Sequence, residues 1–259
     1  MKTQDRMDEI LKLLRRDGEI SVDELIEELD VSPASVRRDL SKLEAKGMVR
    51  RTPGGITMIE PLLYEPFRYD QLFQSRDQHR TTEKRRIGLA GGELIQQNET
   101  VGFTAGTTTT HVARNLRNRH SIRVITNAVN IAMELSNCEG LRTFVTGGFV
   151  QWAGSFSLVG HGAVAFLDDM YMDKLFVSAC GVDAVRGITI IESEEAQIFR
   201  AMIRHAKKII VVADSSKLGV VAPALVCPIS DIHTLITDTG ATEKVVAPIR
   251  KAGVDVQRV

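Results

Sequence analysis

Cysteine is scarce in this sequence of 259 residues, and the three that occur are Cys138, Cys180 and Cys227. They are odd in number, far apart and without C-x-x-C spacing, whereas disulfide frameworks and cysteine metal sites need paired, regularly spaced cysteines. We therefore expect reduced, buried thiols, as in a cytosolic protein, and we expect neither a metal site nor a cofactor.

The sequence also lacks a net charge and a long apolar run. Its 33 lysines and arginines balance its 33 aspartates and glutamates, so any polyanionic partner must be met by a local basic patch. No segment approaches the roughly 18 apolar residues of a membrane-spanning helix. Because the first ten residues, MKTQDRMDEI, are polar, we also expect no signal peptide and a cytoplasmic location.

A local basic patch is present near the start of the chain, in the segment VSPASVRRDLSKLEAKGMVRRTPGG at residues 31–55. Residues 1–31 carry five basic against ten acidic side chains, whereas residues 32–58 carry six basic against two acidic ones. This uneven distribution predicts a dipolar domain whose basic side faces DNA.

Three short amphipathic helices are predicted around this patch. Apolar residues at i, i+3, i+4 and i+7 mark a first helix that ends near Asp17 and a second that ends near Asp30. Ser21 has a glutamate three residues later, the pattern of a capping box. Ser32 caps the third helix, and Pro33 occupies its first position, where a missing N–H costs nothing.

The segment after the third helix predicts a wing. Gly47 ends the helix, and MVRRTPGGITMI then has the pattern of two short strands around a Pro-Gly-Gly turn. Three helices followed by a hairpin predict a winged helix-turn-helix domain over residues 1–60.

The third helix has an apolar face made by Val36, Leu40 and Leu43. Small residues on its other face allow close approach to a groove, and arginines there can reach base edges or phosphates. An ordinary solvated helix face is the alternative, since most charge runs are of that kind. The candidate DNA-binding residues are Ser32, Ala34, Ser35, Arg37, Arg38, Ser41, Lys42, Arg50 and Arg51.

A linker is predicted over residues 61–82, followed by a second domain over 83–259. From Lys84 onward, helical patterns alternate with strands rich in valine and isoleucine, such as IRVIT, KLFVSACG and IIVVAD. This alternation predicts an α/β domain with a mostly parallel sheet that is covered on both faces.

Ligands of such sheets bind where the strands end, so the loops at the strand exits are the candidate effector site. The segment TAGTTTTH supplies threonine hydroxyls and helix N-terminal N–H groups, which suit a phosphate, although a threonine-rich helix cap explains it as well. The other loops have equally ordinary alternatives as turns, and a loop lysine is usually solvated. The candidate effector-binding residues are Thr104, Gly106, Thr107, Thr108, Thr109, Asn127, Gly147, Gly148, Asp183 and Lys217.

The chain resembles the DeoR family of bacterial transcriptional regulators over nearly its whole length. The resemblance rests on the basic segment quoted above and on TTEKRRIG, TAGTTTTHVARNL, VITNAVNIAMEL, ACGVDAVRGIT, EEAQIFRAMI and VVADSSKLG. It implies a repressor of a sugar operon whose effector domain is similar to the ribose-5-phosphate isomerase and CoA-transferase fold and binds a phosphorylated sugar.

The resemblance also assigns roles to individual positions. It implies that Gly106 to Thr109 form the phosphate loop, that Asp183 contacts the sugar and that Lys217 is the lysine of a D-x-S-K motif. Family members often have aspartate two residues before the loop glycine, where this chain has Thr104, so a neutral hydroxyl would contact the sugar differently.

Two other functions remain open at this point. An activator of the same type is one, because the residues predict DNA binding but not the sign of regulation. The other is a catalytic sugar-phosphate isomerase with a DNA-binding appendage, in which Asp183 and one of Glu192, Glu194 or Glu195 act as general base. We favour the repressor, with no catalytic residues, bound to double-stranded operator DNA as a homodimer or homotetramer.

Overall fold

A computed structural model of the chain describes residues 3–45, 48–58, 71–151 and 154–259. The chain divides into two compact units, Met1–Leu63 and Tyr64–Val259. Residues 61–70 of the predicted linker lie outside the described residues, and its remaining part is mostly helical.

The first unit contains the three predicted helices, α1 (Thr3–Asp17), α2 (Val22–Leu29) and α3 (Pro33–Ala45). The capping box of α2 forms as expected, since the Ser21 hydroxyl accepts from the Glu24 N–H at 3.1 Å and the Glu24 carboxylate accepts from the Ser21 N–H at 2.8 Å. Asp30 ends this helix in the left-handed conformation, with a φ of 48°. Gly47, the predicted end of α3, lies outside the described residues.

The wing is a three-stranded sheet rather than the simple hairpin that the sequence predicted. Strands β2 (Val49–Thr52) and β3 (Gly55–Met58) form the expected antiparallel hairpin. The additional strand, β1 (Glu19–Ile20), pairs with the outer side of β3. With this addition the winged helix-turn-helix fold is confirmed.

The strands of the second unit that the structure describes are β4 (Thr100–Phe103), β5 (Ile122–Thr126), β6 (Leu141–Val145), β7 (Phe149–Val150), β8 (Leu158–Val159), β9 (Met172–Ser178), β10 (Gly181–Asp183), β11 (Gly187–Ile190), β12 (Ala206–Val212), β13 (Ala224–Cys227), β14 (Thr234–Thr237) and β15 (Asp255–Arg258). Its described helices are α4 (Gln71–Gln78), α5 (Thr81–Glu93), α6 (Thr107–Arg114), α7 (Val129–Leu135), α8 (His161–Ala165), α9 (Ser193–Arg204) and α10 (Glu243–Lys251). Short 3-10 turns occur at Ser215–Lys217 and Ile229–Asp231.

The main sheet of this unit has seven strands in the order β15-β14-β12-β9-β4-β5-β6, and neighbouring strands are parallel throughout. One apolar cluster includes Phe103 and Phe176, and a second includes Leu175 and Phe199. Because successive side chains of a strand point to opposite faces, Leu175 and Phe176 of β9 contribute to different clusters. The predicted α/β class, with a parallel sheet covered on both faces, is confirmed.

Two parts of this unit differ from the expectation. Strands β10, β11 and β13 form a small antiparallel sheet, so the predicted loop Gly181–Ala184 begins as a strand. Helix α9 ends at Arg204 instead of Lys207, because the next residues join β12 beside β9. Short strands and the ends of helices depend on pairing partners that are remote in sequence. The periodicity of apolar residues does not reveal those partners.

The three cysteines carry free thiols, of which Cys227 is buried while Cys138 and Cys180 are half-buried. The expectation of three buried thiols is therefore wrong for two of them. None of the helices in the described ranges combines the length and the hydropathy of a membrane-spanning segment.

Candidate functional site

The outward face of α3 is the candidate DNA-contacting surface. Val36, Leu40 and Leu43 are buried in the core of the first unit, which turns the opposite side of the helix to solvent. The predicted contact residues exposed there are Ala34, Arg37, Arg38, Ser41 and Lys42. The Ser41 hydroxyl donates to the Arg37 carbonyl at 2.9 Å.

The two serines at the start of α3 act locally as a cap. Ser32 is exposed, and its hydroxyl accepts from the N–H of Ser35 at 3.4 Å. The two hydroxyls lie 2.9 Å apart, and Ser35 is half-buried. The start of the helix is thus satisfied by its own side chains.

The cations of this face are largely uncompensated within the described residues. Arg37, Arg38, Lys42 and Arg50 are exposed, and no described side chain pairs with them. Arg51 lies 3.4 Å from a Glu44 carboxylate oxygen, but such an exposed pair is worth little and is easily replaced by another anion. The surface therefore offers positive charge to a polyanion.

The second unit has a cavity of about 260 Å³ at the carboxyl-terminal ends of β4, β9 and β12. Four of the predicted effector-binding residues line it: Gly106, Thr107, Thr108 and Lys217. The cavity is also lined by residues that were not among the predicted effector-binding residues, including Ser75, Arg76, His79, Lys84, Cys180 and Glu195.

The turn between β4 and α6 presents backbone N–H groups at this cavity. Gly106 packs so closely on β9 that a Cβ would lie 2.4 Å from the Cβ of Ser178, so only glycine fits there. The Thr109 hydroxyl donates to the carbonyls of Thr104 and Gly106, at 2.8 and 2.9 Å. The first N–H groups of a helix have no intrahelical partner, so the start of α6 can receive an anion.

Two predicted effector residues support the turn from behind. Asn127 is fully buried, accepts from the Ala105 N–H at 2.9 Å and donates to the Ser157 hydroxyl at 2.8 Å. Thr104 is also fully buried, and its hydroxyl accepts from the Ser178 N–H at 3.0 Å. The Thr104 side chain therefore links the residue that follows β4 to the end of β9.

Three further predicted residues do not line the cavity. The Asp183 carboxylate accepts from the N–H groups of Val185 and Arg186, at 2.9 and 2.7 Å, and so caps the turn after β10. Gly147 and Gly148 are exposed in the loop after β6. Their contact with an effector stays a prediction.

Arg76 and Lys84 bring positive charge to the cavity from α4 and α5. The buried Lys84 ammonium donates to the carbonyl of Arg76. Burial lowers the pKa of Lys84; the carboxylates of Asp77 and Asp214 oppose this, whereas the cations Lys217 and Arg76 add to it. Lys217 and Arg76 are thus close enough to Lys84 for their positive charge to act on it. The only signal of Lys84 in the sequence was the segment TTEKRRIG.

The turn that carries Lys217 is held in place by buried polar groups. The Asp214 carboxylate, which is 1% exposed, accepts from the Ser216 N–H at 3.0 Å. Arg80, itself in the left-handed conformation with a φ of 55°, donates to the Ser215 hydroxyl at 2.9 Å. The lysine is therefore presented by a rigid turn rather than by a free loop.

Glu195 is the acidic counterpart on the cavity wall. Burial raises the pKa of this carboxyl to about 7, against a hydrogen bond with Ser157 and the positive charge of Arg76, which lower it. Near neutral pH the group can accept hydrogen bonds or donate one, which suits a polyhydroxylated ligand.

Family comparison matches both units. The family model of the DeoR-like helix-turn-helix domain matches residues 6–61, and that of the DeoR C-terminal sensor domain matches residues 79–239.

Two similar proteins come from Escherichia coli strain K12. The HTH-type transcriptional repressor CsqR is 31% identical, with 90% of this chain and 87% of the relative aligned. The glycerol-3-phosphate regulon repressor is 28% identical, with 92% of each chain aligned. Both relatives are named as repressors, and both align with this chain over most of their length.

Among solved structures, ribose 5-phosphate isomerase A from Methanocaldococcus jannaschii is similar, with 16% identity, 52% of each chain covered and a TM-score of 0.39. A likeness this loose has no bearing on ligand or chemistry.

Proposed function

This chain belongs to the DeoR family of transcriptional regulators, and from that premise we propose that it represses a carbohydrate-metabolism operon and leaves its operator when a phosphorylated sugar binds. The observation that carries the proposal is the convergence of Lys217, Arg76 and Lys84 on the cavity that also receives the start of α6.

The DNA-binding part of the proposal rests on α3. Its exposed arginines lie on a helix whose opposite face packs in the core, and this packing fixes the direction in which the arginines point. Arginine contacts guanine edges bidentately and also binds phosphates, and we propose that the exposed Arg50 on β2 contacts the DNA backbone. The predicted Ser32, Ala34, Ser35, Arg37, Arg38, Ser41, Lys42, Arg50 and Arg51 form the proposed contact set.

The effector part rests on charge and size. A phosphate fits the N-terminus of α6 together with the lysines, because helix N–H groups and ammonium groups both favour an anion. At about 260 Å³ the cavity is below the range of about 300–1,000 Å³ that holds drug-sized molecules, which favours a small ligand. The regulon named for the relative, that of glycerol-3-phosphate, also concerns a small phosphorylated polyol.

The alternatives are weaker on the same observations. The family and its named relatives are transcriptional regulators and not enzymes, which removes the case for an isomerase with a DNA-binding appendage. The relatives are repressors, which favours repression over activation for this chain. We also propose that it acts in the cytoplasm as a homodimer or homotetramer.

A screen of purified full-length protein against phosphorylated sugars tests the proposal. A ligand present at about 100 times its Kd stabilises the folded protein by roughly 2–3 kcal/mol, which a thermal-shift assay detects. The same compound should then dissociate the protein from its operator in a fluorescence anisotropy titration, whereas the unphosphorylated sugar should not. A panel in which only unphosphorylated sugars act contradicts the proposal.

A further inference from the structure

Helix α4 (Gln71–Gln78) has a special position in the chain, because it is the first described helix of the second unit. Residues 59–70 separate it in sequence from the last described strand of the first unit. Any change in α4 is therefore a change at the end of the segment that joins the two units.

Two contacts hold α4 to the second unit away from the cavity wall. Phe73 is fully buried and packs edge-on against Phe156, with ring centroids 5.0 Å apart. Asp77 lies 3.1 Å from the ring nitrogen of His111 on α6. Burial would raise the pKa of Asp77, but His111 and the charge of Arg114 outweigh it and lower the pKa to about 2. Asp77 is thus a fixed negative charge that anchors the helix.

Arg76 is the charged residue of α4 that lines the cavity. Its guanidinium donates to the carbonyl of Gly154, while its own carbonyl accepts from Lys84 on α5. A guanidinium has five N–H donors, so the bond to Gly154 leaves donors for an anion. Arg76 is also exposed, so an incoming ligand can reach it without unpacking the helix.

An anion in the cavity would therefore link elements that are far apart in sequence. The same charge would contact Arg76 on α4, the start of α6, and Lys217 in the turn after β12. The bond from Arg76 to the Gly154 carbonyl has one ionised partner, whereas a contact between a guanidinium and a phosphate has two and is frequently bidentate. The ligand then ties α4 more tightly to the sheet.

We propose that Arg76 is the positioning residue that reports cavity occupancy to the DNA-binding unit: a bound anion fixes α4 through this guanidinium, and the fixed helix favours the protein state that leaves the operator. The inference rests on the proposed function, since it concerns the regulation of the same site. A ligand shifts such an equilibrium only through contacts that differ between the two states, and the link to Arg76 is a contact of that kind.

Hydrogen–deuterium exchange of the full chain tests this inference, with inorganic phosphate as the probe. Phosphate should slow amide exchange several-fold both in residues 104–112, around the start of α6, and in residues 71–80, which contain α4. In Arg76→Ala, the slowing should remain in 104–112 and disappear from 71–80, and Arg76→Lys should restore part of it. Arg204→Ala, which removes an exposed arginine that does not line the cavity, should behave like the parent.

The outcomes separate the two proposals. If phosphate slows exchange in neither segment of the parent, the proposed function and this inference both fail. If phosphate slows amide exchange in 104–112 alone, the phosphate site is supported and the proposed role of α4 is overturned. Release from the operator is the second measurement, made at a saturating concentration of the sugar phosphate found by thermal shift. Under this condition Arg76→Ala should stay on the DNA. If it is released as fully as the parent, the inference is overturned.

Discussion

Arg6 of α1 donates through its Nε to a carboxylate oxygen of Asp39 on α3, at 2.5 Å, and the Asp39 side chain is completely buried. The pair joins the first helix to the inner face of the helix that carries the DNA-contacting arginines. Because Asp39 lies on the same side of α3 as Val36 and Leu40, the ion pair helps to keep Arg37 and Arg38 in solvent.

We expect Asp39→Asn to destabilise the first unit. Removing one charge of a buried pair leaves its partner uncompensated, at a cost of about 3–5 kcal/mol. Calorimetry of the full chain should record a lower melting temperature for this unit and little effect of Asp5→Asn, which changes an exposed carboxylate of α1. Equal melting temperatures for the two variants would contradict the structural role of the pair.

Arg38→Ala should weaken operator binding while leaving the fold intact. Its guanidinium is exposed on α3, without a partner among the described residues, and a good bidentate base contact is worth about 1–3 kcal/mol. Fluorescence anisotropy should show roughly a tenfold to hundredfold loss of affinity, since about 1.4 kcal/mol is a factor of ten. Arg16→Ala, on α1 and paired with Asp17, is the matched control. An unchanged operator affinity for Arg38→Ala means that this arginine does not contact DNA.

The operator should contain two half-sites, repeated or palindromic. One helix α3 with its wing offers too small a surface for tight binding, and dimeric helix-turn-helix proteins span half-sites about one helical turn, roughly 34 Å, apart. Footprinting together with light scattering of the complex checks this expectation. A single protected half-site bound by a monomer would exclude it.

Lys217→Ala should retain DNA binding and lose the response to the effector. The ammonium lies on the cavity wall in a turn of the second unit, so its loss removes positive charge from the phosphate site without touching α3. The variant should stay on its operator at concentrations of sugar phosphate that release the parent. The control is Lys244→Ala, which removes an exposed lysine of α10. If Lys217→Ala leaves the operator at the same concentration of sugar phosphate as the parent, Lys217 is not part of the effector site.

Glu195→Gln should change how stability depends on pH. The carboxyl has a pKa of about 7 in the folded protein, against 4.5 as the reference value, so the folded state holds more protons in this window and stability falls as pH rises through it. Glutamine stays neutral, so the variant should match the parent near pH 4, below the reference pKa, and exceed it by roughly 1–3 kcal/mol at pH 8.

Thermal melts at the two pH values check this expectation for Glu195. The exposed neighbour Glu194→Gln serves as control, because it removes the same charge from the same helix without changing the cavity wall. If the stability difference between Glu195→Gln and its parent is the same at both pH values, the pKa of this half-buried carboxyl is not raised.

Local patterns were enough to predict much of the first unit. The capping box at Ser21, the proline at the start of α3 and the stripe at Val36, Leu40 and Leu43 act within one or two helical turns, where residue spacing directly reflects structure. The same holds for the central strands β9 and β12 of the main sheet, whose apolar runs follow from burial on both faces. The burial of Asp39, one of the two acidic residues in the basic segment 32–58, was not predicted, because it depends on Arg6, 33 residues away.

Polar loops follow the parallel strands along the sequence, and the common direction of those strands is enough to place the loops at one rim of the sheet. Packing between elements that are remote in sequence selects which of these loops form the cavity. It directs Asn127 and Thr104 inward to support the turn, uses Asp183 to cap a different turn and brings Arg76 and Lys84 beside Lys217. The reason is physical: periodicity assigns a residue to one face of its own helix or strand, whereas a site is built where elements more than a hundred residues apart pack together.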